Sequence, residues 1–156
     1  MDRNCLTISR WLWRKLILDL RRRGRGRRES GAFLLAPADR TRIDLYICYD
    51  DLDPKCLDSG IIVFRGSGYV PLWELCLKTH HKVVADVHTH PGRWTEQSGS
   101  DQTHPMVGVA GHLALIVPHF ARENVGSLRG VGVHRYLGNH QWHAAKARAD
   151  FALSFL

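Results

Sequence analysis

Apolar residues recur at Ile8, Leu12, Leu16 and Leu20, with Trp13 and Ile17 beside them. That spacing lines up one face of a helix and predicts an amphipathic helix over residues 8–21. The Arg/Gly run from Arg21 to Arg28 then breaks the pattern, because Gly24 and Gly26 favour a turn over continued helix. Shorter apolar runs follow at strand length. Residues 31–35 form one, stopped at Pro37, and residues 43–49, β-branched and aromatic in part, form a second. Residues 61–64 read as a third strand, ended by Arg65 to Gly68, while the aspartates between Asp50 and Pro54 read as a loop. Leu72, Leu75, Cys76 and His80 return to helical spacing, with Pro71 tolerated in the first turn. Residues 83–88, 112–118 and 130–136 are further strands, and Gly138-Asn139 predicts a hairpin turn into Gln141-Trp142-His143. Residues 144–156 fit helix and strand equally well.

This order gives a central β-sheet with one helix before it and one inserted within it, an α/β arrangement. The 156 residues suit a single domain, and no internal repeat, low-complexity tract or linker divides them. Within it, residues 1–28 carry the first helix and the Arg-rich segment. Residues 29–143 form the expected core, and residues 144–156 a C-terminal element.

Composition adds limits rather than a function. A hydrophobic fraction of 44% and a charged fraction of 24% are those of an ordinary globular protein. Cys5, Cys48, Cys56 and Cys76 form no CxxC pair or regular framework, and so read as reduced thiols in a cytoplasmic protein. Arg10, Arg14, Lys15 and Asp19 interrupt the apolar start, which argues against a signal peptide and a membrane span. The net charge of +7 is concentrated, with six arginines between Arg21 and Arg28. A solvated, flexible turn is the first reading of that run, an acidic protein partner the second. Nucleic acid ranks last, since no aromatic residue is interleaved for base stacking.

The chemistry lies in His88-Thr89-His90-Pro91 and, six residues on, Ser98-Gly99-Ser100-Asp101. Two histidines two apart on a strand point to one face, so both imidazoles reach one metal. Asp101 can return from the next segment as third ligand. Two histidines and a carboxylate leave a fourth tetrahedral position open, the layout of catalytic rather than structural zinc. Amide hydrolysis also needs a general base outside the ligand set, and Glu29, at the mouth of the first strand, is the best-placed carboxylate. Glu74 lies in the inserted helix and Glu96 in the loop between the ligands. Each residue also has a plainer role. Ser98-x-x-Asp101 is a capping-box pattern, His88 and His90 could be edge-strand residues, and Glu29 could balance the arginines. His104 is either a group orienting a ligand or a loop histidine. Trp94 could touch a substrate tail.

Glu29 with Gly31 ahead of an apolar strand, then His88-x-His90-Pro91 and Ser98-x-x-Asp101, resembles the JAMM metalloproteases, the MPN-plus or JAB domain family. The likeness spans residues 29–143. It implies a JAB/MPN-type domain, a central mixed sheet flanked by helices in a cytidine-deaminase-like layout. It implies one zinc per chain on His88, His90 and Asp101, with Glu29 as acid/base and Ser98 as donor to the oxyanion. Family members cut after the C-terminal tail of ubiquitin or a ubiquitin-like protein. The short length, the Arg-rich approach to Glu29 and residues 112–118 look like the compact bacterial branch. Members of that branch occur beside ubiquitin-like proteins and their activating and conjugating enzymes, some of which serve antiphage defence. RadC-type proteins, associated with DNA, carry a similar pattern, so a nucleic-acid-linked binding module is the alternative reading.

Overall fold

The computed structural model describes residues 5–155. The chain enters through a short strand, β1 (Leu6–Ser9), and turns directly into α1 (Arg10–Gly24). Ser9 is the N-cap, its hydroxyl accepting from the Leu12 N–H at 3.1 Å, so the helix starts two residues later than its apolar period suggests. Ile8 belongs to the strand instead. Arg21 to Arg23 complete the last turn of α1, where the expected turn begins only at Arg25, in the left-handed conformation. The arginine run is also partly bonded: Arg23 reaches Asp19, Asp50 and Asp51, and Arg28 donates to the Arg23 carbonyl.

Six strands form the main sheet in the order β4-β2-β5-β6-β7-β8. They are β2 (Gly31–Pro37), β4 (Leu45–Cys48), β5 (His81–Thr89), β6 (Leu113–Val117), β7 (Gly132–Gly138) and β8 (Gln141–Ala144). All neighbours are antiparallel except β5 and β6, which makes the sheet mixed. Asn139 and His140 both take positive φ in the predicted β7–β8 hairpin turn. A second sheet, all parallel, has the order β3-β1-β9, with β3 (Arg42–Ile43) and β9 (Phe151–Ser154). The ambiguous C-terminal element is therefore a strand, and it pairs with the start of the chain.

Side chains of β2 alternate between two cores. Ala32 and Leu34 pack with Trp13, Leu16 and Ile17 of α1, all fully buried, on one face of the sheet. Phe33 and Leu35 pack on the other face with Leu72 and Cys76 of α3 (Tyr69–Thr79). The inserted helix is thus where its periodicity predicts. Three expectations change. Tyr49–Leu52 is a helical turn, α2, not part of strand or loop. The run from Arg42 to Cys48 is two strands, and residues 61–64 form no strand at all. Composition alone makes residues 61–64 look like a strand, but their backbone bonds go elsewhere: Val63 N–H to the Cys56 carbonyl and Ile62 N–H to the Glu29 carboxylate. Among the described residues, no helix is long and apolar enough to cross a membrane.

Candidate metal centre

Strand β5 carries His88 at its penultimate position and ends at Thr89; His90 follows, held extended by its N–H on the Val117 carbonyl at 2.9 Å. Their ring Nε2 atoms face each other at 3.1 Å. Gly31 lies directly across from His88 on β2, and Phe33 across from Asp86, so His88 shares the α3 side of the sheet with Phe33. Any side chain at Gly31 would collide with the Tyr49 ring and would stand 2.7 Å from the Val87 carbonyl. The absence of a Cβ there lets an aromatic wall close beside His88.

The third side chain of the group, Asp101, comes from α4 (Gly99–Thr103), a single short turn beginning at Ser98. Ser98 Oγ accepts from the Asp101 N–H at 3.1 Å, and Asp101 Oδ2 accepts from the Ser98 N–H at 2.8 Å. That capping box exists, and it aims the Asp101 carboxylate at the two imidazoles. Held this way, Asp101 puts Oδ1 at 3.5 Å from His88 Nε2 and Oδ2 at 3.5 Å from His90 Nε2. Ligands about 2.0–2.1 Å from a tetrahedral zinc lie roughly 3.3 Å apart. The observed separations, 3.1 Å between the rings and 3.5 Å from each ring to a different Asp101 oxygen, are close to that spacing. Two imidazoles and one carboxylate are also a donor set suited to zinc. Among the described residues this is the group of three or more His, Cys, Asp or Glu side chains that converges closely enough to hold a metal.

Charge in the site follows from these contacts. Burial alone would raise the Asp101 carboxyl, but the two imidazoles and the Ser98 N–H outweigh it and hold the group well below its ordinary value. Burial alone would lower His90; Asp101 and the Trp94 carbonyl outweigh it and raise it. Glu29 is pushed upward by burial, against the pull of the His88 and His90 rings.

Glu29, His88, Ser98 and Asp101 line one cleft of about 610 Å³. Glu29 is gripped by the irregular segment that failed to become a strand. Its N–H donates to the Gly60 carbonyl at 2.8 Å, and its Oε2 lies 3.5 Å from the Ile62 N–H. The Ser98 hydroxyl spends a lone pair on the Asp101 N–H, which leaves its own proton free to donate toward the cleft. His104 also lines the cleft, but its ring bonds Thr103 Oγ1 at the end of α4 rather than a ligand.

Several supporting residues were not apparent from spacing. Trp94, exposed in the loop between the ligands, stacks on the His90 ring with centroids 5.4 Å apart, and its carbonyl lies 3.0 Å from His90 Nδ1. A proton on Nδ1 fixes the tautomer that leaves Nε2 for a metal. Trp142 of β8 donates its indole N–H to the Gln102 carbonyl at 3.0 Å, tying the hairpin to the turn that carries Asp101. His134 of β7 binds the Thr95 carbonyl at 2.9 Å, which Gly132 permits by leaving room for that carbonyl. Beneath them Asp86 and His112 form a buried pair at 2.7 Å. Trp94 lies four residues from His90, but the other three contacts join segments 26 to 40 residues apart, so no local pattern marks them.

No protein-family model matches the sequence. Solved structures do match in shape. A protein from Desulfitobacterium hafniense is 14% identical, with a TM-score of 0.58 over 96% of this chain and 92% of that one. A protein from Salinibacter ruber is 13% identical, with a TM-score of 0.59 over 90% and 89%. A JAB1/MPN domain protein from Archaeoglobus fulgidus, 17% identical, aligns more loosely, at a TM-score of 0.49 over 91% and 96%. At these identities the first two likenesses concern the fold alone.

Proposed function

We propose that this chain is a zinc peptidase of the JAMM type that cuts after the C-terminal tail of a ubiquitin-like protein. One observation carries the reading. The three side chains of the sequence motif converge closely enough to hold one metal ion, and two of them, His88 and Asp101, line the cleft that also holds Glu29 and Ser98. The motif's likeness to JAMM proteases supplies the substrate class.

His88 Nε2, His90 Nε2 and the Asp101 carboxylate would hold the ion. Bound there, zinc supplies a Lewis acid and brings water ionisation toward neutral pH. The remaining work falls to the chain. Glu29 takes a proton from the attacking water and hands it to the leaving amine; a carboxyl raised by burial is better matched to both halves of that task. Ser98 donates its free O–H to the carbonyl oxygen as negative charge develops, an interaction stronger in the transition state than in the bound substrate. Ile61, Ile62 and Phe64 line the cleft beside Glu29 and offer an apolar wall to a substrate chain.

The test is a ubiquitin-like protein fused through its C-terminal tail to a reporter, incubated with zinc-loaded enzyme. Cleavage at the end of the tail, abolished by a chelator and restored by zinc, supports the proposal. Absence of cleavage by zinc-loaded protein across several such tails removes it.

A further inference from the structure

The outer face of α1 has no part in the metal site. Its inner face, Leu12, Trp13, Leu16, Ile17 and Leu20, is buried in the core on the opposite side of the sheet from His88. Turning at about 100° per residue, the exposed residues fall into three parallel rows. Arg10, Arg14 and Arg21 form one, and Lys15 and Arg22 form another. Between them runs a seam of Trp11, 70% exposed, and Leu18, 41% exposed. Arg25 and Arg27 extend the exposed positive charge past the helix end.

These cations are not consumed within the chain. Among the described residues, Asp19 is the acid paired on this helix, and it goes to Arg23 and Arg22. Arg22 nevertheless stays 71% exposed. Arg10, Arg14, Lys15, Arg21, Arg25 and Arg27 have no carboxylate partner among the described residues. Arg10 instead covers the Phe155 ring at 4.7 Å, and Lys15 lies 5.7 Å from the centre of the Trp11 ring.

We infer that the outer face of α1 is a docking surface for an acidic protein, one that presents an apolar strip edged by carboxylates. An exposed Trp within a field of arginines is the composition of an interface centre and its rim. Charge of one sign on both sides of the seam excludes a second copy of this chain meeting it face to face. A nucleic-acid backbone would satisfy the arginines but gives Leu18 nothing to pack against. A lipid surface takes up a continuous apolar helix face, and the one α1 owns is already buried in its own core. Because the sheet separates this face from the metal ligands, the inference stands apart from the proposed peptidase activity.

The probe is a fluorescein-labelled helical peptide with leucines seven residues apart and glutamates on either side. Its anisotropy is titrated with full-length protein at about 20 and 200 mM salt, where screening of exposed charges differs strongly. Expected is binding that weakens with salt. It should fall at least tenfold in Arg14→Glu/Arg21→Glu and in Trp11→Ser, and at least fivefold when the peptide's leucines become serine. Both variants keep the buried side of α1 and should bind zinc as wild type does. No binding of the peptide overturns the inference. So does binding indifferent to Trp11 or to the leucines, or a 20-base-pair duplex or phosphatidylserine vesicle that binds more tightly than the peptide.

Discussion

Ser98 and Asp101 cap each other's backbone N–H across the first turn of α4, and the same pair presents one hydroxyl proton and one carboxylate to the cleft. A helix cap and a candidate metal ligand are here one device. Ser98→Ala should therefore cost two different things. Losing the cap should lower stability by about 1 kcal/mol. Losing the oxyanion donor should cut kcat by roughly 10²-fold or more. Ser98→Asp restores a capping side chain without the neutral donor, so it should regain stability in urea unfolding while cleavage stays low. Equal recovery of both would assign Ser98 to capping alone.

On the proposed reading, zinc would compete with protons for His90. Its folded pKa lies above the ordinary 6.5, because the Asp101 carboxylate and Trp94 carbonyl outweigh the effect of burial. The ring must be neutral to bind the ion, so a raised pKa brings the loss of affinity to higher pH. Zinc affinity should fall by about tenfold per pH unit once pH drops below that value. Competition with a chromogenic chelator between pH 8 and pH 6 measures this; affinity that stays level to pH 6 contradicts it.

Trp142→Phe keeps the ring on β8 and removes only the indole N–H that holds the Gln102 carbonyl. The turn carrying Asp101 then loses its tie to the hairpin. Zinc affinity should drop by roughly tenfold, the lower end for a supporting contact. Isothermal titration gives the constant, and an unchanged value would show that the capping box alone holds Asp101.

Gly31→Ala forces a methyl group into the Tyr49 ring and toward the Val87 carbonyl, in the strand position opposite His88. Overpacking of this kind should destabilise the chain by about 1–3 kcal/mol. Denaturant unfolding checks it, and a stability equal to wild type would mean that the Tyr49 ring yields without cost.

What the sequence reveals and what it hides divide along the length of the contacts. His88, His90 and Asp101 are legible because strand alternation and a capping box are local rules, and both put ligands in place. The two helices are legible from their apolar period, and most strands from short β-branched runs. Residues 61–64 have the same composition, yet their N–H groups bond the Cys56 carbonyl and the Glu29 carboxylate, and pairing is a property of the whole fold. Conversely β1 and β9 are four residues each, and they pair between opposite ends of the chain. Trp94 is visible as an exposed loop aromatic, but its carbonyl contact to His90 is not. Trp142 and His134 act on segments about 40 residues away, beyond any periodicity.

Glu29 distinguishes a peptidase from a metal-binding module of the same shape, since it lies in the cleft without belonging to the three converging ligands. The most direct measurement is zinc content and cleavage of a tail-fused ubiquitin-like reporter, determined together on wild type and Glu29→Ala. Expected are one zinc per chain in both proteins and cleavage reduced by about 10²–10⁴-fold in the variant. Undiminished cleavage by zinc-loaded Glu29→Ala would contradict it.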